Sequence, residues 1–155
     1  MSKGPEYDVA IVGYGPVGAV LANLLANHGL KIVVVERAAS IYDKPRAITL
    51  DHEALRVLQA CGLADVMEKA IAPHNGSHYL GVDGEVIKIF DPMPPPYPLG
   101  WMPNVTFVQP DMEQALRDKL AAYRNADVFL STTGLSLVQD EIGRASCRER
   151  VSIDV

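Results

Sequence analysis

The sequence predicts an α/β fold, in which a βαβ unit with a parallel sheet carries a β-hairpin insertion. Three observations predict it. Two β-branched apolar runs, "YDVAIVG" and "KIVVVE", have the pattern of buried strands; the segment between them changes to helical spacing; and a second series of strand, hairpin and helix signals follows Arg37. Strand, helix and strand within about 30 residues form a βαβ unit, whose right-handed crossover makes the two strands parallel.

Each element has its own local cause. The first strand, ending at Gly13, is expected to be buried on both faces. From Pro16 to His28, Val17, Val20, Leu21, Leu24 and Leu25 fall on one helical face, Pro16 is tolerated in the first turn, and Gly29 supplies the stop. After the polar segment "RAASIYDKPRA", Asp51 caps a helix over "DHEALRVLQACGL" whose apolar face is Ala54, Leu55 and Leu58, with Gly62 at its end. "ADVMEKAIA" reads as a short helix before Pro73. "SHYLGVDGEVIKIF" reads as a hairpin turning at Asp83-Gly84, and "DPMPPPYPLGWMP" as a loop, because its prolines lack the donors that regular structure needs. "VTFVQ" is a strand, "PDMEQALRDKLAAY" a helix with Pro110 and Asp111 at its start, and "DVFLSTTGLSLVQD" one or two further strands.

Composition narrows the function. A 155-residue chain with 48% hydrophobic and 21% charged residues has the balance of one globular domain with a real core. A net charge of -5 without a run of Lys or Arg argues against a nucleic-acid partner. The amino terminus "MSKGPEYD" lacks a signal-peptide core and no apolar run is long enough to span a bilayer, so no membrane association and a cytoplasmic location are expected. Cys61 and Cys147 suit a reducing compartment and form neither a disulfide framework nor a metal motif; His28, His74 and His78 have no ligand spacing, so no metal is expected.

The chemistry-bearing motif is Gly13-x-Gly15-x-x-Gly18 between strand and helix, with Glu36 at the end of the next strand. Gly13 permits a tight turn, Gly15 lets the backbone approach a pyrophosphate, and Gly18 lets helix and strand pack closely. The helix amino terminus offers free N–H donors and positive dipole character to phosphates. Glu36 is placed to accept from both ribose hydroxyls of an adenosine, and its charge disfavours a 2′-phosphate, hence NADP. The plainer alternative is a sharp strand-to-helix turn with no ligand. The fingerprint by itself does not separate FAD from NAD. Asp51, His52 and Glu53 bring a carboxylate beside an imidazole, yet a helix start favours acids for capping alone, and no catalytic residue is assigned.

Taken together, "DVAIVGYGPVGAVLANLLANHGLKIVVVER", "KPRAITLDHEALRVLQACGL" and "FVQPDMEQAL" resemble the amino-terminal part of the FAD-dependent aromatic hydroxylases, the group A flavoprotein monooxygenases. The resemblance implies a Rossmann-like FAD-binding unit. It also implies that the parent enzyme uses NAD(P)H as co-substrate and oxygen to hydroxylate a small phenolic aromatic substrate. It places Gly13, Gly15, Pro16, Val17, Gly18 and Glu36 at the ADP half of FAD, Arg37 beside the adenosine, Arg46 of the Pro-Arg-Ala segment near the flavin end, and Gln109 at the ribityl or pyrophosphate region. A solvated loop cation is the plainer account of Arg46. Trp101 and the proline loop form either a wall near the substrate region or a simple surface loop.

The family's chains are several times longer than one lobe, and neither the later Asp-Gly segment nor the Gly-Asp segment that contacts the cofactor is found here. The chain is therefore expected to be truncated. Residues 1–140 would be a partial FAD-binding domain, and 141–155 a non-native tail, since "EIGRASCRERV" resembles an in-frame translation of a sequencing adapter. A basic helix face is the alternative for that tail. Such a fragment is expected to be inactive alone and to expose sheet edges and apolar faces. Two rival readings remain open: a stand-alone NAD-binding domain, and a non-catalytic flavin- or nucleotide-binding module.

Overall fold

The computed structural model describes residues 6–139 and, for the backbone alone, Glu149–Ser152; side chains are described up to Ser136. In chain order the elements are β1 (Val9–Val12), α1 (Pro16–Asn27), β2 (Ile32–Val35), β3 (Thr49–Asp51), α2 (His52–Ala60), α3 (Ala64–Ala70) and β4 (Ile71–Pro73). They continue with β5 (Ser77–Leu80), β6 (Val86–Phe90), β7 (Asn104–Phe107), α4 (Gln109–Ala121), β8 (Ala126–Phe129), β9 (Ser136–Gln139) and β10 (Glu149–Ser152). The chain divides into two units, Met1–Tyr42 with Leu116–Val155, and Asp43–Ala115. The tail expected to be foreign lies outside the described residues except for the backbone of β10, which pairs antiparallel with β9.

In the first unit β1, β2 and β8 form a parallel sheet in the order β1-β2-β8, with Val9 opposite Ile32 and Ile32 opposite Ala126. The central strand β2 is buried at all four residues, as its unbroken β-branched run predicts. β1 departs from the expectation of burial on both faces. Only Ile11 is buried, and Ala10 and the 68% exposed Val12 alternate with it, because α1 covers one face of β1, where Ile11 lies against Gly18, and the other face is largely bare among the described residues.

The packing face of α1 is also corrected. Of the expected apolar residues, Val17 is 82% exposed and Leu21 is exposed, while Val20, Leu24 and Leu25 are half-buried; the fully buried stripe is Ala19, Ala22, Asn23 and Ala26, at spacings of three and four. Small side chains let the helix come close to the strands beneath, so size rather than hydrophobicity selects the buried stripe. Buried Asn23 donates from Nδ2 to the Ala19 carbonyl at 2.8 Å and to the Leu116 carbonyl at 2.9 Å. The end of α1 is fixed by Asn125, whose Nδ2 donates to the carbonyls of Ala26 and Leu30, and by Gly29 at φ +81°.

In the second unit β7 is the centre of an antiparallel sheet ordered β3-β7-β4, and its Val105 and Phe107 are buried. The short strands β3 and β4 go beyond the sequence expectation; three residues are too few for a readable alternation. The helix expected over "ADVMEKAIA" stops at Ala70, and Ile71–Pro73 joins the sheet as an edge strand, where a proline's missing donor is tolerated. Helix α2 starts as expected, with Asp51 Oδ1 accepting from the Ala54 N–H at 2.7 Å, and it buries Leu55 and Leu58. The β5–β6 hairpin turns through Asp83 and Gly84, the latter at φ +80°. All five residues of β6 are exposed. No helix among the described residues is long and apolar enough to cross a membrane.

The corrected helix face yields a comparison of opposite sign to that expected from hydrophobicity. Ala22→Leu is expected to lose about 1–3 kcal/mol through overpacking, while Leu21→Ala stays within about 0.5 kcal/mol of the original chain. Urea unfolding of the two variants checks both.

Candidate functional site

The first unit places Gly13, Gly15, Pro16, Val17, Gly18, Glu36 and Arg37 around the carboxyl ends of β1 and β2, where ligands of open α/β sheets are held. Gly13 has φ +105°, a conformation that side chains disfavour, and its N–H donates to the Val35 carbonyl at 2.8 Å. A Cβ added at Gly18 would collide with the Gly13 carbonyl oxygen, so glycine is required there. A Cβ at Gly15 would meet no atom within 4 Å, which leaves open space over the turn. Pro16 opens α1 with no N–H, and the N–H groups of Gly15, Val17 and Gly18 have no partner among the described residues. Open backbone donors at a helix amino terminus suit a pyrophosphate.

Glu36 is held from two sides. Its Oε2 accepts from the Tyr14 N–H at 2.7 Å and its Oε1 from the Ala38 N–H at 2.8 Å. These two backbone bonds, helped by the positive charges of Arg117 and Arg37, hold the carboxyl below its ordinary range. The carboxylate is thus charged and fixed in direction, with lone pairs left for a diol. An open pocket of about 220 Å³ lies against it, walled by Gly13, Glu36, Arg37, Thr132 and Gly134. The residues present therefore fit the adenosine and pyrophosphate part of a dinucleotide in donors and charge.

The second unit holds Arg46 and Gln109. Gln109 is buried; its Oε1 accepts from the N–H groups of Arg46 and Ala47, both at 2.9 Å, and its Nε2 donates to Glu113 Oε1 at 2.7 Å. Gln109 thus pins the Pro-Arg-Ala backbone and orders the loop that presents the exposed Arg46. Trp101 donates from Nε1 to Gln59 Oε1 at 2.8 Å. Asp51 serves as the helix cap already described, and His74 accepts from the Gly76 N–H within its own turn.

Sequence reasoning missed three residues. Glu113 is buried and fixes the Gln109 amide; its i+4 spacing from Gln109 on α4 was the available signal. Tyr14 is buried, and burial pushes its phenol up to about 12, so the ring is neutral. Arg117 lies with its guanidinium 4.5 Å from the Tyr14 ring centre. A separation of 103 residues gave no sequence signal for that pair.

Strand, glycine turn, helix and acid-ended strand in this order define a dinucleotide-binding βαβ unit. The family is narrower: the model of the FAD binding domain matches residues 6–152, and the chain belongs to that family. This settles the choice between FAD and NAD that the fingerprint leaves open. The chain is similar to 3-(3-hydroxy-phenyl)propionate/3-hydroxycinnamic acid hydroxylase of Comamonas testosteroni, 37% identical over 138 residues, which are 89% of this chain and 23% of that protein. It is similar also to hydroxylase 2 of the same name from Burkholderia vietnamiensis, 41% identical over 133 residues, covering 86% of this chain and 24% of that protein. Among solved structures, a PqsL mutant of P. aeruginosa aligns with a TM-score of 0.71 at 27% identity, over 87% of this chain and 36% of its own. The flavin-dependent monooxygenase PieE, in complex with FAD and substrate, aligns with a TM-score of 0.74 at 20% identity over 98% of this chain and 29% of its own, which shows the fold. The chain spans about a quarter of the length of the curated relatives it matches.

Two outcomes are expected. Because Glu36 is held below its ordinary pKa, the stability it contributes is present above the ordinary carboxylate value and lost as pH falls through the lowered one. The urea midpoint of the original chain should exceed that of Glu36→Gln at neutral pH, and the two should converge in acid. Gln109→Leu strands the Arg46 and Ala47 N–H groups and buried Glu113, and is expected to cost about 1–3 kcal/mol by the same urea measurement.

Proposed function

We propose that this chain is the ADP-binding portion of an FAD-dependent aromatic hydroxylase, and that the whole enzyme oxidises NAD(P)H and hydroxylates a small phenolic substrate. The observation that carries this is the doubly anchored Glu36 beside the open Gly13–Gly18 turn, in a chain of the FAD binding domain family. The names of its relatives, hydroxylases of 3-hydroxyphenylpropionate and 3-hydroxycinnamic acid, support a hydroxylated phenylpropanoid acid as the substrate class.

The roles follow from chemistry. Gly15, Val17 and Gly18 would offer backbone donors to the pyrophosphate and Glu36 would take the ribose hydroxyls. Arg37 would lie beside the adenosine, and Arg46, on the loop pinned by Gln109, would serve the flavin end. FAD supplies the oxygen chemistry when bound; the protein binds, orients and excludes water.

Flavin fluorescence titration tests the proposal. FAD is expected to bind the chain saturably, Gly18→Ala to weaken binding at least about tenfold by displacing the turn, and the chain alone to show no hydroxylation of 3-hydroxyphenylpropionate with NAD(P)H. Absence of FAD binding, or NAD binding in its place, would overturn it.

A further inference from the structure

Arg117 sits on α4, in the same unit as the glycine turn, and meets it twice. Its guanidinium stacks 4.5 Å from the centre of the buried Tyr14 ring, and its Nη2 donates to the Tyr14 carbonyl at 3.0 Å. Its Nε is buried and has no partner among the described residues. A buried donor left unpaired carries a cost, so this geometry is held by the stack and the carbonyl bond.

The consequence lies in the peptide plane. The Tyr14 carbonyl and the Gly15 N–H belong to one trans peptide unit and point in opposite directions. Gripping the carbonyl therefore aims the Gly15 N–H away from Arg117. The preceding peptide is set likewise: the Tyr14 N–H is taken by Glu36, and the Gly13 carbonyl faces the bare Cα of Gly18. Two successive peptide planes are thus locked, one by Glu36 and one by Arg117. With Pro16 lacking an N–H, Gly15 and Val17 are the first donors of the turn.

We propose that Arg117 is a positioning residue for the dinucleotide turn, fixing the Tyr14–Gly15 peptide so that the Gly15 N–H is presented to a phosphate. The proposal rests on the reading that this turn takes FAD. Lysine would replace the charge but not the planar fork that stacks and donates together.

The test uses the chain as it is, with Arg117→Lys, Arg117→Gln and, as a charge-matched control on the same helix, Lys119→Gln. FAD affinity is read by flavin fluorescence, and amide hydrogen exchange at Tyr14 and Gly15 is read by NMR without ligand. Arg117→Gln is expected to weaken FAD about tenfold and to speed Tyr14 exchange by a similar factor. Arg117→Lys should restore part of the affinity but not the slow exchange, and Lys119→Gln should change neither. Unaltered affinity and exchange in Arg117→Gln, or an equal loss in Lys119→Gln, would overturn the proposal. Should Arg117→Gln fail to fold, original values of both readouts in Arg117→Lys would overturn it. If the unaltered chain binds no FAD, the functional reading fails, while exchange at Tyr14 still decides whether Arg117 sets the turn.

Discussion

The contact between the Gly13 carbonyl and the bare Cα of Gly18 is the constraint on which the site depends. It brings the first turn of α1 against the end of β1 at a distance no side chain would permit. It also turns the Tyr14 N–H toward Glu36, 22 residues further along the chain, beyond α1 and β2. Once that bond forms, the acid that would meet a ribose also organises the turn that would meet a phosphate. Recognition of the two halves of an ADP group is therefore mechanically coupled through one carboxylate. A second bond from the Ala38 N–H keeps this carboxylate charged and stops it rotating.

The same closeness explains the core of the first unit. Ala19, Ala22 and Ala26 are buried where larger side chains would hold α1 off the sheet, and the bulky Val17 and Leu21 are left outward. Hydrophobic burial is concentrated instead in β2, between two parallel neighbours. In the second unit a buried amide and a buried acid, Gln109 and Glu113, order a loop through its backbone. Polar groups thus hold functional segments in both units: Glu36 and Gln109 each accept from two main-chain N–H groups, and Glu113 accepts from the Gln109 amide.

Much of this was legible in the residues. The βαβ unit, the glycine turn, the acid at Glu36, the Asp51 cap and the Asp83-Gly84 hairpin follow from local rules: period, turn chemistry and capping. The resemblance to flavin hydroxylases reached the FAD binding domain family correctly. What failed was non-local. The burial of β1 depends on what covers each of its faces, and the face of α1 depends on the distance to the sheet; neither is written in hydropathy. β3 and β4 exist because β7 lies between them. Arg117 and Tyr14 meet only after folding, so their pairing had no sequence signature. Gln109 meets the Arg46 and Ala47 N–H groups across 63 and 62 residues, another contact that exists only after folding.

The most direct test of the central claim is an amide chemical-shift titration of the chain with ADP, which isolates the half of the cofactor that the first unit would hold. The turn described here predicts shifts concentrated at Gly15, Val17, Gly18 and Ala38, saturating together and disappearing in Glu36→Ala. Shifts that fall elsewhere, or that persist at full size without Glu36, would contradict it.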